Sequence, residues 1–294
     1  MTRENNPKLL SWGSQTYIMG ILNITPDSFS GDGLLNQEDP ITKALNQASD
    51  FVKAGATILD IGGESTRPGA NIISTEEEIS RIVPIIQRLS NENLGAIISI
   101  DTYKAPVAEA AINAGADWVN DVWGLKADAK MAEIIAKYNV PIVIMHNRSN
   151  PANVKSVDTL GSRYADIHYE NLICEIIADL NDSLAIAQKA GVDKKNIIID
   201  PGLGFGKTVE QNLLLLNNLN ELKVLECPIL VGPSRKSFIG YTLNKPPNQR
   251  LFGTAAVVSF SIMQGADIIR VHDVKEMAEV VKMIDSIRLT PYKW

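Results

Sequence analysis

Short apolar segments alternate along this chain with longer segments in which apolar residues recur every three or four positions. The short segments are rich in Ile, Val and Leu, as expected of parallel strands that are covered on both faces. The longer segments, such as 76–89, 164–189 and 277–287, have the spacing of amphipathic helices. The predicted strands are 17–23, 57–62, 96–101, 117–121, 141–146, 196–200, 228–232 and 267–272. Strands that alternate with helices in this way predict parallel β/α units.

The connections between these segments are of two kinds. Helix-to-strand turns are short, whereas the strand-to-helix loops after Asn23, Gly62 and His146 are longer than usual. With a length close to that of one barrel, the pattern predicts an α/β protein with the (β/α)8 TIM-barrel fold in a single domain. Strand-to-helix loops form the C-terminal face of such a barrel, where active sites lie. Residues 1–15 are predicted to be a loosely attached N-terminal extension, and residues 16–294 the catalytic barrel.

Composition and charge narrow the classes of partner. The chain has 294 residues, 45% of them hydrophobic, and a formal net charge of −6. This charge argues against nucleic acid as the main partner, although a local basic pocket can still bind a small anion. Because no apolar run is long enough to span a bilayer and no signal peptide is recognisable, we predict no membrane partner and a cytoplasmic location. Cys174 and Cys227 lack metal-binding spacing and are expected to be reduced thiols.

Polar side chains stand at or next to the ends of most predicted strands. A single Asp in such a place is most often a helix cap or a turn former. So many on one rim call for another explanation, because each buried polar group without a partner costs about 1–3 kcal/mol. A ligand, a metal or a polar network must therefore satisfy them. The residues are Asn23, Asp60, Asp101, Asn120, Asp121, His146, Asp200, Arg270 and His272.

These side chains fall into two chemical groups. The carboxylates and amide of Asp101, Asn120 and Asp200 suit a heterocycle with several N–H donors. The cationic side chains suit an anion such as phosphate. A site that offers both kinds of group predicts a ligand with a polar ring at one end and phosphate at the other. The cationic set is Arg67, Lys236, Arg270 and His272.

Two more familiar binding motifs do not fit. The glycine-rich segment 201–208 ends like a nucleotide-binding P-loop, but Pro201 stands where the first glycine is required. Lys207 stands where a dinucleotide-binding loop needs its third glycine, so a flexible loop that holds Phe205 near a ligand is favoured. The three histidines have no zinc spacing. Asn23, with nearby Asp residues and substrate phosphates, is a candidate to hold Mg²⁺.

Several segments resemble those of a known family. Residues 21–30 and 60–69 look like the two signature segments of the dihydropteroate synthase family of pterin-binding enzymes. The resemblance runs from Met19 to Ile284. It implies condensation of 6-hydroxymethyl-7,8-dihydropterin pyrophosphate with 4-aminobenzoate to 7,8-dihydropteroate and pyrophosphate, in folate biosynthesis. It also implies Mg²⁺, a homodimer and sulfonamide binding. Further matching segments are 99–102, 120–122, 200–207, 234–237 and 270–274.

The resemblance also implies residue roles, beginning with the pterin and the pyrophosphate. Asn23 is similar to the family's Mg²⁺ ligand, and Arg270 and His272 resemble its pyrophosphate-binding pair. With Lys236, these three residues form the implied catalytic set. The implied pterin-binding residues are Asp101, Asn120, Asp200 and Lys236.

The remaining implied roles concern the loops and the second substrate. Thr66 and Arg67 lie where a mobile loop of the family meets substrate. Asp60 belongs to a signature segment, and a structural role is as well supported for it as a direct one. The residues that resemble those shaping the aminobenzoate pocket are Phe29, Pro68, Phe205 and Ser234. Residues 147–162 and 30–34 depart from the family pattern, so no contact is assigned to the loop after the fifth strand.

Two other functions stay open at this point. A methyltetrahydrofolate:corrinoid methyltransferase shares the ring-binding logic but has no need for the anion-binding groups at residues 234–236, 270 and 272. A pterin-binding barrel without activity is the second alternative, and the retained polar set weighs against it. For the favoured reaction we expect a dissociative substitution at the pterin methylene carbon, because the ring can delocalise positive charge there.

Overall fold

The computed structural model describes residues 8–24, 39–65, 72–157, 159–165 and 167–291. Eight parallel strands lie side by side in the order β8-β5-β4-β3-β2-β1-β10-β9, and a bridge between Ile199 and Ile229 closes the ring. This confirms the predicted (β/α)8 barrel. The barrel strands are β1 (Tyr17–Asn23), β2 (Ile58–Gly62), β3 (Ile97–Asp101), β4 (Trp118–Asp121), β5 (Ile142–Met145), β8 (Ile197–Asp200), β9 (Leu230–Val231) and β10 (Ile268–Val271).

Helices surround the barrel and bury the outward faces of the strands. They cover one large apolar core that includes Leu59, Ile100 and Ile144. The helices are α1 (Pro40–Lys53), α2 (Thr75–Glu92), α3 (Ala105–Ala114), α4 (Met131–Tyr138), α5 (Leu172–Ala190), α6 (Val209–Asn217), α7 (Ser237–Leu243), α8 (Leu251–Met263) and α9 (Val274–Leu289). In the part of the chain that the structure describes, none of them has the length and apolar character to cross a membrane.

The two-residue period of the strands divides the barrel interior into an apolar and a polar level. In β2, Ile58 and Asp60 are separated by the outward-facing Leu59, and β10 repeats this pattern with Ile268 and Arg270. The apolar level is fully buried and supports the polar one. Its members are Tyr17, Met19, Ile58, Ile97, Trp118, Val143, Ile198, Leu230 and Ile268.

The segment before β1 closes the opposite, N-terminal end of the barrel. Leu10 and Trp12 pack against the apolar interior, and the Trp12 ring meets Tyr17 edge-on. The Trp118 indole N–H donates to the Lys8 carbonyl at 2.8 Å, and the Lys8 ammonium lies 3.0 Å from an Asp117 carboxylate oxygen. Lys8, Leu10 and Trp12 of the predicted N-terminal extension therefore attach it to this end of the barrel.

One region of the predicted helix pattern is wrong. The predicted helix 164–189 begins eight residues later, at Leu172, where the Asn171 side chain accepts a hydrogen bond from the Cys174 N–H. The preceding residues form an antiparallel hairpin of β6 (Val154–Val157) and β7 (Gly161–Tyr164). The hairpin rests on α7, since the Tyr241 hydroxyl donates to the Gly161 carbonyl at 2.9 Å.

Candidate active site

A buried carboxylate, Asp60, organises the polar level of the barrel interior. Its oxygens accept hydrogen bonds from the Ser99 hydroxyl at 2.6 Å, the Asn120 amide at 2.9 Å and Arg270 Nε at 2.6 Å. Asp60 is 0% exposed, so these donors replace the water that its charge has lost. Because four strands are tied together through Asp60, the contacts favour the structural role that the sequence left open.

Asp101 and Arg270 meet directly above this network. Arg270 Nη2 donates to one Asp101 oxygen at 2.6 Å, while the other oxygen, Oδ1, is buried with no hydrogen-bond partner among the described residues. Burial raises the pKa of Asp101 to about 7, and the charge of Arg270 opposes that shift. The pKa of Arg270 is raised, since Asp60 and Asp101 outweigh the opposing effect of burial. An orphaned carboxylate oxygen in a polar cavity is suited to accept a donor from a ligand.

Asp200 lies across the barrel at the end of β8. It is 6% exposed, and one of its oxygens accepts the Gly202 N–H at 2.7 Å. Burial raises the pKa of Asp200 to about 6, against the effects of the Gly202 N–H and of the Lys236 and Arg270 charges. The charges of Lys236 and Arg270 both act on Asp200, so these three side chains lie near one another.

The glycine-rich segment after Asp200 presents Phe205 to Lys236. The Lys236 ammonium lies 4.0 Å from the centre of the Phe205 ring, a cation–π contact. The Gly204 N–H donates to the Asn212 side chain at 2.7 Å, and the Tyr169 hydroxyl donates to the Gly206 carbonyl at 3.0 Å. These hydrogen bonds hold the segment in a defined turn in this structure.

Ser234 and His272 follow β9 and β10, the strands next to β8 on the rim. The Ser234 Oγ lies 3.0 Å from His272 Nδ1 and accepts the His272 backbone N–H at 3.2 Å. Between Ser234 and Lys236, Arg235 has a left-handed backbone with φ of 57°. Arg250 stabilises this turn because its Nη1 donates to the Arg235 carbonyl at 2.9 Å. Ser234 and Lys236 are thereby held by neighbouring elements.

The other predicted site residues are placed less completely. Asn23 is half-buried at the end of β1, on the same rim. Asp121 accepts the N–H groups of Trp123 and Leu125, so it caps the turn after β4. The predicted substrate contacts of the first two loops lie outside the described residues. These are Phe29, Thr66, Arg67 and Pro68.

Comparison with known proteins shows to which family this chain belongs. The sequence model described as "Pterin binding enzyme" matches residues 19–272. The chain belongs to the pterin binding enzyme family. A Bacillus subtilis member of this family, a dihydropteroate synthase, is 48% identical over 284 residues, which are 97% of this chain and 93% of that protein.

Solved structures of pterin binding enzymes share the fold. Dihydropteroate synthase from Clostridium difficile, determined in the presence of pteroic acid, has a TM-score of 0.85 at 45% identity, over 96% of this chain and 100% of that one. Xanthomonas albilineans dihydropteroate synthase with 4-aminobenzoic acid has a TM-score of 0.83 at 35% identity, over 94% of each chain.

Sequence reasoning on this pterin binding enzyme missed two site residues. Ser99 lies two residues before Asp101, so the strand period alone places it on the inward face. Lys207 received no role of its own from the sequence, yet it is 2% exposed and hydrogen-bonded to His146. A lysine inside a glycine-rich motif was a usable signal, but its partners could not be deduced from sequence.

The donor set around Asn23 limits how a metal could bind. No cluster of three or more His, Cys, Asp or Glu side chains suited to a metal occurs within the described ranges. Mg²⁺ usually takes one or two protein oxygens and completes its shell with water and substrate phosphates. The amide oxygen of Asn23 fits that mode of binding and does not fit an all-protein metal cage.

Proposed function

We propose that this chain is a dihydropteroate synthase, which condenses 6-hydroxymethyl-7,8-dihydropterin pyrophosphate with 4-aminobenzoate. The observation that carries the proposal is the buried, unpartnered Oδ1 of Asp101 beside Asn120 and Arg270, at the polar level of the barrel. The likeness to dihydropteroate synthases over nearly the whole chain supports it. A ring rich in N–H donors would satisfy this oxygen, and a phosphate-bearing end would meet the cations.

The pterin ring then lies among Asp101, Asn120 and Asp200. The Asn120 amide nitrogen is already committed to Asp60, so its oxygen is the group left to accept from the ring. One Asp200 oxygen is used by Gly202, and the other accepts from the amino-pyrimidine edge. Lys236, near Asp200, completes the ring pocket.

The pyrophosphate end is assigned to Arg270 and His272. Arg270 donates from Nε to Asp60 and from Nη2 to Asp101. Its remaining N–H groups are suited to phosphate oxygens. Asn23 would contribute an oxygen ligand to Mg²⁺, which when bound offsets negative charge on the leaving group.

The aminobenzoate pocket is built from Phe205 and Ser234 in the described part, with Thr66, Arg67, Phe29 and Pro68 expected from the loops. Phe205 offers an apolar ring face next to the pterin site, as its contact with Lys236 indicates. An arylamine seated there would have its nitrogen near the methylene carbon. Sulfonamides would compete for the same pocket.

The reaction is a substitution with a balanced exchange of bonds. The bond between the methylene carbon and the pyrophosphate oxygen breaks, and its electron pair leaves with pyrophosphate. The lone pair of the aminobenzoate nitrogen forms the new C–N bond, and that nitrogen releases one proton to solvent. Positive charge that develops on the pterin is stabilised by Asp101 and Asp200, so the protein supplies electrostatic stabilisation and no strong base.

The decisive test measures product and pyrophosphate together. The purified chain with both substrates and Mg²⁺ should form dihydropteroate and pyrophosphate in equal amounts. Arg270→Ala should lower turnover about 100- to 1000-fold, the range for loss of a transition-state donor, with Arg270→Lys less affected. Pterin binding without product would support the inactive barrel, and transfer of a methyl group from methyltetrahydrofolate would support the methyltransferase.

We also propose a homodimer in the cytoplasm. Ten of the 13 large, exposed hydrophobic side chains among the described residues fall between Leu213 and Leu289, and three of them, Phe252, Phe260 and Met263, belong to α8, whose exposed face is the proposed contact. A second copy of the chain is the proposed occupant of that face. Cys174 and Cys227 are free thiols, which suits a reducing compartment.

A further inference from the structure

Lys207 is a buried cation next to the pocket described above. Its side chain is among the largest fully buried ones, and its ammonium has three hydrogen-bond partners. They are His146 Nδ1 at 2.8 Å, the Gly202 carbonyl at 3.0 Å and the Phe205 carbonyl at 3.1 Å. Three acceptors match the three N–H groups of an ammonium, and a neutral amine would leave one acceptor without a proton. Burial lowers the pKa of Lys207 to about 7, and the Asp200 charge opposes this.

His146 connects Lys207 to the helices outside the barrel. Burial lowers the pKa of His146 to about 4, so its ring is neutral at neutral pH and Nδ1 can accept from Lys207. The other ring nitrogen lies 3.1 Å from an Asp179 oxygen, and Arg148 Nε donates to the same oxygen at 2.6 Å. Because Asp179 is part of α5, the chain of hydrogen bonds anchors Lys207 to a long helix.

Lys207 holds the glycine-rich segment from inside. The carbonyls of Gly202 and Phe205 both point at its ammonium, which draws the segment into a closed turn. The turn needs left-handed backbone at Gly202, with φ of 70°, and a Cβ there would come within 1.9 Å of the His146 carbonyl. The backbone at Gly202 is therefore packed closely against the end of β5.

The far side of the same turn contacts Lys236. The Phe205 ring lies under the Lys236 ammonium, and a Cβ on Gly204 would come within 3.0 Å of Lys236 Cδ. Movement of the turn would displace Phe205, whereas two of the pterin-binding residues, Asp101 and Asn120, are held independently by Arg270 and Asp60.

We propose that Lys207, anchored through His146 and Asp179, is a positioning residue that fixes Phe205 and so sets the aminobenzoate side of the pocket. Lys207 does not touch substrate in this assignment. The inference rests on the proposed function, because that function assigns the ligand next to Phe205.

The first experiment compares Lys207→Met with Lys189→Met, a matched change at an exposed position of α5. Lys207→Met keeps much of the side-chain volume and removes the donors. We expect the KM for 4-aminobenzoate to rise about tenfold or more, the ratio that corresponds to loss of one charge-assisted hydrogen bond. The Kd for 6-hydroxymethylpterin, measured by calorimetry, should change less than about threefold, and Lys189→Met should match the wild type.

A second pair keeps the test decisive if Lys207→Met does not fold. His146→Asn places an oxygen where Nδ1 stands and can still accept from Lys207, whereas His146→Leu cannot. His146→Leu should show the raised KM for 4-aminobenzoate, and His146→Asn should restore most of the wild-type value.

The outcomes separate this inference from the proposed function. If the wild type makes no dihydropteroate, the proposed function fails. If the wild type is active but the folded variants raise the KM for the pterin substrate and for 4-aminobenzoate equally, Lys207 has only a structural role and the inference is overturned. Folded variants that raise neither KM also overturn it. Equal behaviour of His146→Leu and His146→Asn would also overturn it.

Discussion

At the scale of single residues, Asp101 carries the least satisfied charge in the site. Its pKa is raised to about 7 by burial, from an ordinary value of 3.8, and Arg270 only partly compensates. A carboxyl group with a raised pKa in the folded state binds its proton more tightly there than in the unfolded chain. Its contribution to stability is therefore complete below about pH 4 and is lost as pH rises through about 7.

We predict that Asp101→Asn flattens the pH dependence of stability. Between about pH 5 and pH 8, the free energy of unfolding should fall more for the wild type than for the variant, because the variant has no carboxyl group to ionise at this position. Urea unfolding at the two pH values measures the fall in the free energy of unfolding for the wild type and for the variant. Asp121 and Asp200, whose pKa values are also raised, are present in both proteins and cancel in the comparison. If the free energy of unfolding changes with pH equally in both proteins, the pKa of Asp101 is not raised.

Asp60 differs from Asp101 because both of its carboxylate oxygens accept hydrogen bonds from protein side chains. Asp60→Ala would leave the donors of Ser99, Asn120 and Arg270 without their acceptor in a buried place. We expect a loss of about 3–5 kcal/mol in the free energy of unfolding, the usual result of breaking a buried ion pair.

The matched control for this change is Asp50→Ala. Asp50 also faces a cation, Lys53, but both side chains are more than two-thirds exposed. It should change stability by less than about 0.5 kcal/mol. A similar loss in both variants, measured by urea unfolding, would show that burial of Asp60 is not the reason for its effect.

At the scale of elements, the barrel strands could be predicted from the sequence and the hairpin could not. The difference is the extent to which each strand is covered by other parts of the protein. A barrel strand is covered on both sides and is almost continuously apolar, so β3 and β8 are recognisable from sequence. The four-residue strand β7 reads Gly-Ser-Arg-Tyr and has no apolar alternation. Its pairing depends on contacts with α7 that are distant in sequence, for example from Tyr241 to Gly161.

The site residues also divide into features that the sequence could predict and features that it could not. The strand ends placed Asp101, Asn120 and Asp200 on one rim, because parallel strands expose their carboxyl ends at one face of the barrel. Which side chain pairs with which could not be predicted, since the bond from Arg270 to Asp60 joins residues 210 positions apart. A buried lysine such as Lys207 runs against the usual exposure of lysines, so sequence reasoning gave it no role.

Arg250 joins the hairpin to the segment that carries Ser234 and Lys236. It is 2% exposed and donates to the carbonyls of Lys245, Arg235 and Leu160, each at 2.9–3.0 Å. We predict that Arg250→Met leaves these carbonyls unpaired and loosens both segments. Amide exchange in residues 159–164 and 234–245 should become about 10- to 100-fold faster, as expected for the loss of buried hydrogen bonds.

Hydrogen exchange followed by mass spectrometry measures this change peptide by peptide. Lys245→Met, at an exposed position whose backbone makes the same contact, is the control and should leave both segments unchanged. Faster exchange spread evenly over the barrel would mean global destabilisation, and the proposed link between hairpin and site would then be wrong.

At the scale of the whole molecule, the distribution of exposed apolar side chains is uneven. Helix α8 presents Phe252, which is 86% exposed, and Met263, which is 58% exposed, eleven residues apart and thus on one helix face. Phe260, 42% exposed, lies near the same face. A monomer would leave these side chains in water, whereas a two-fold contact would bury them on both copies at once.

We therefore predict that the wild type is a dimer at micromolar concentration and that Phe252→Glu with Met263→Glu makes it a monomer. Four carboxylates, two from each copy, would face one another across the contact and would have to be desolvated there, which opposes association. Sedimentation velocity gives the mass of each protein, and circular dichroism shows whether the fold is kept. Ile186→Glu, on the exposed side of α5, adds one negative charge per copy elsewhere and should leave the dimer intact. A wild-type monomer, or a double variant that still dimerises, would mean that α8 is not the contact, and its apolar face would then need another partner.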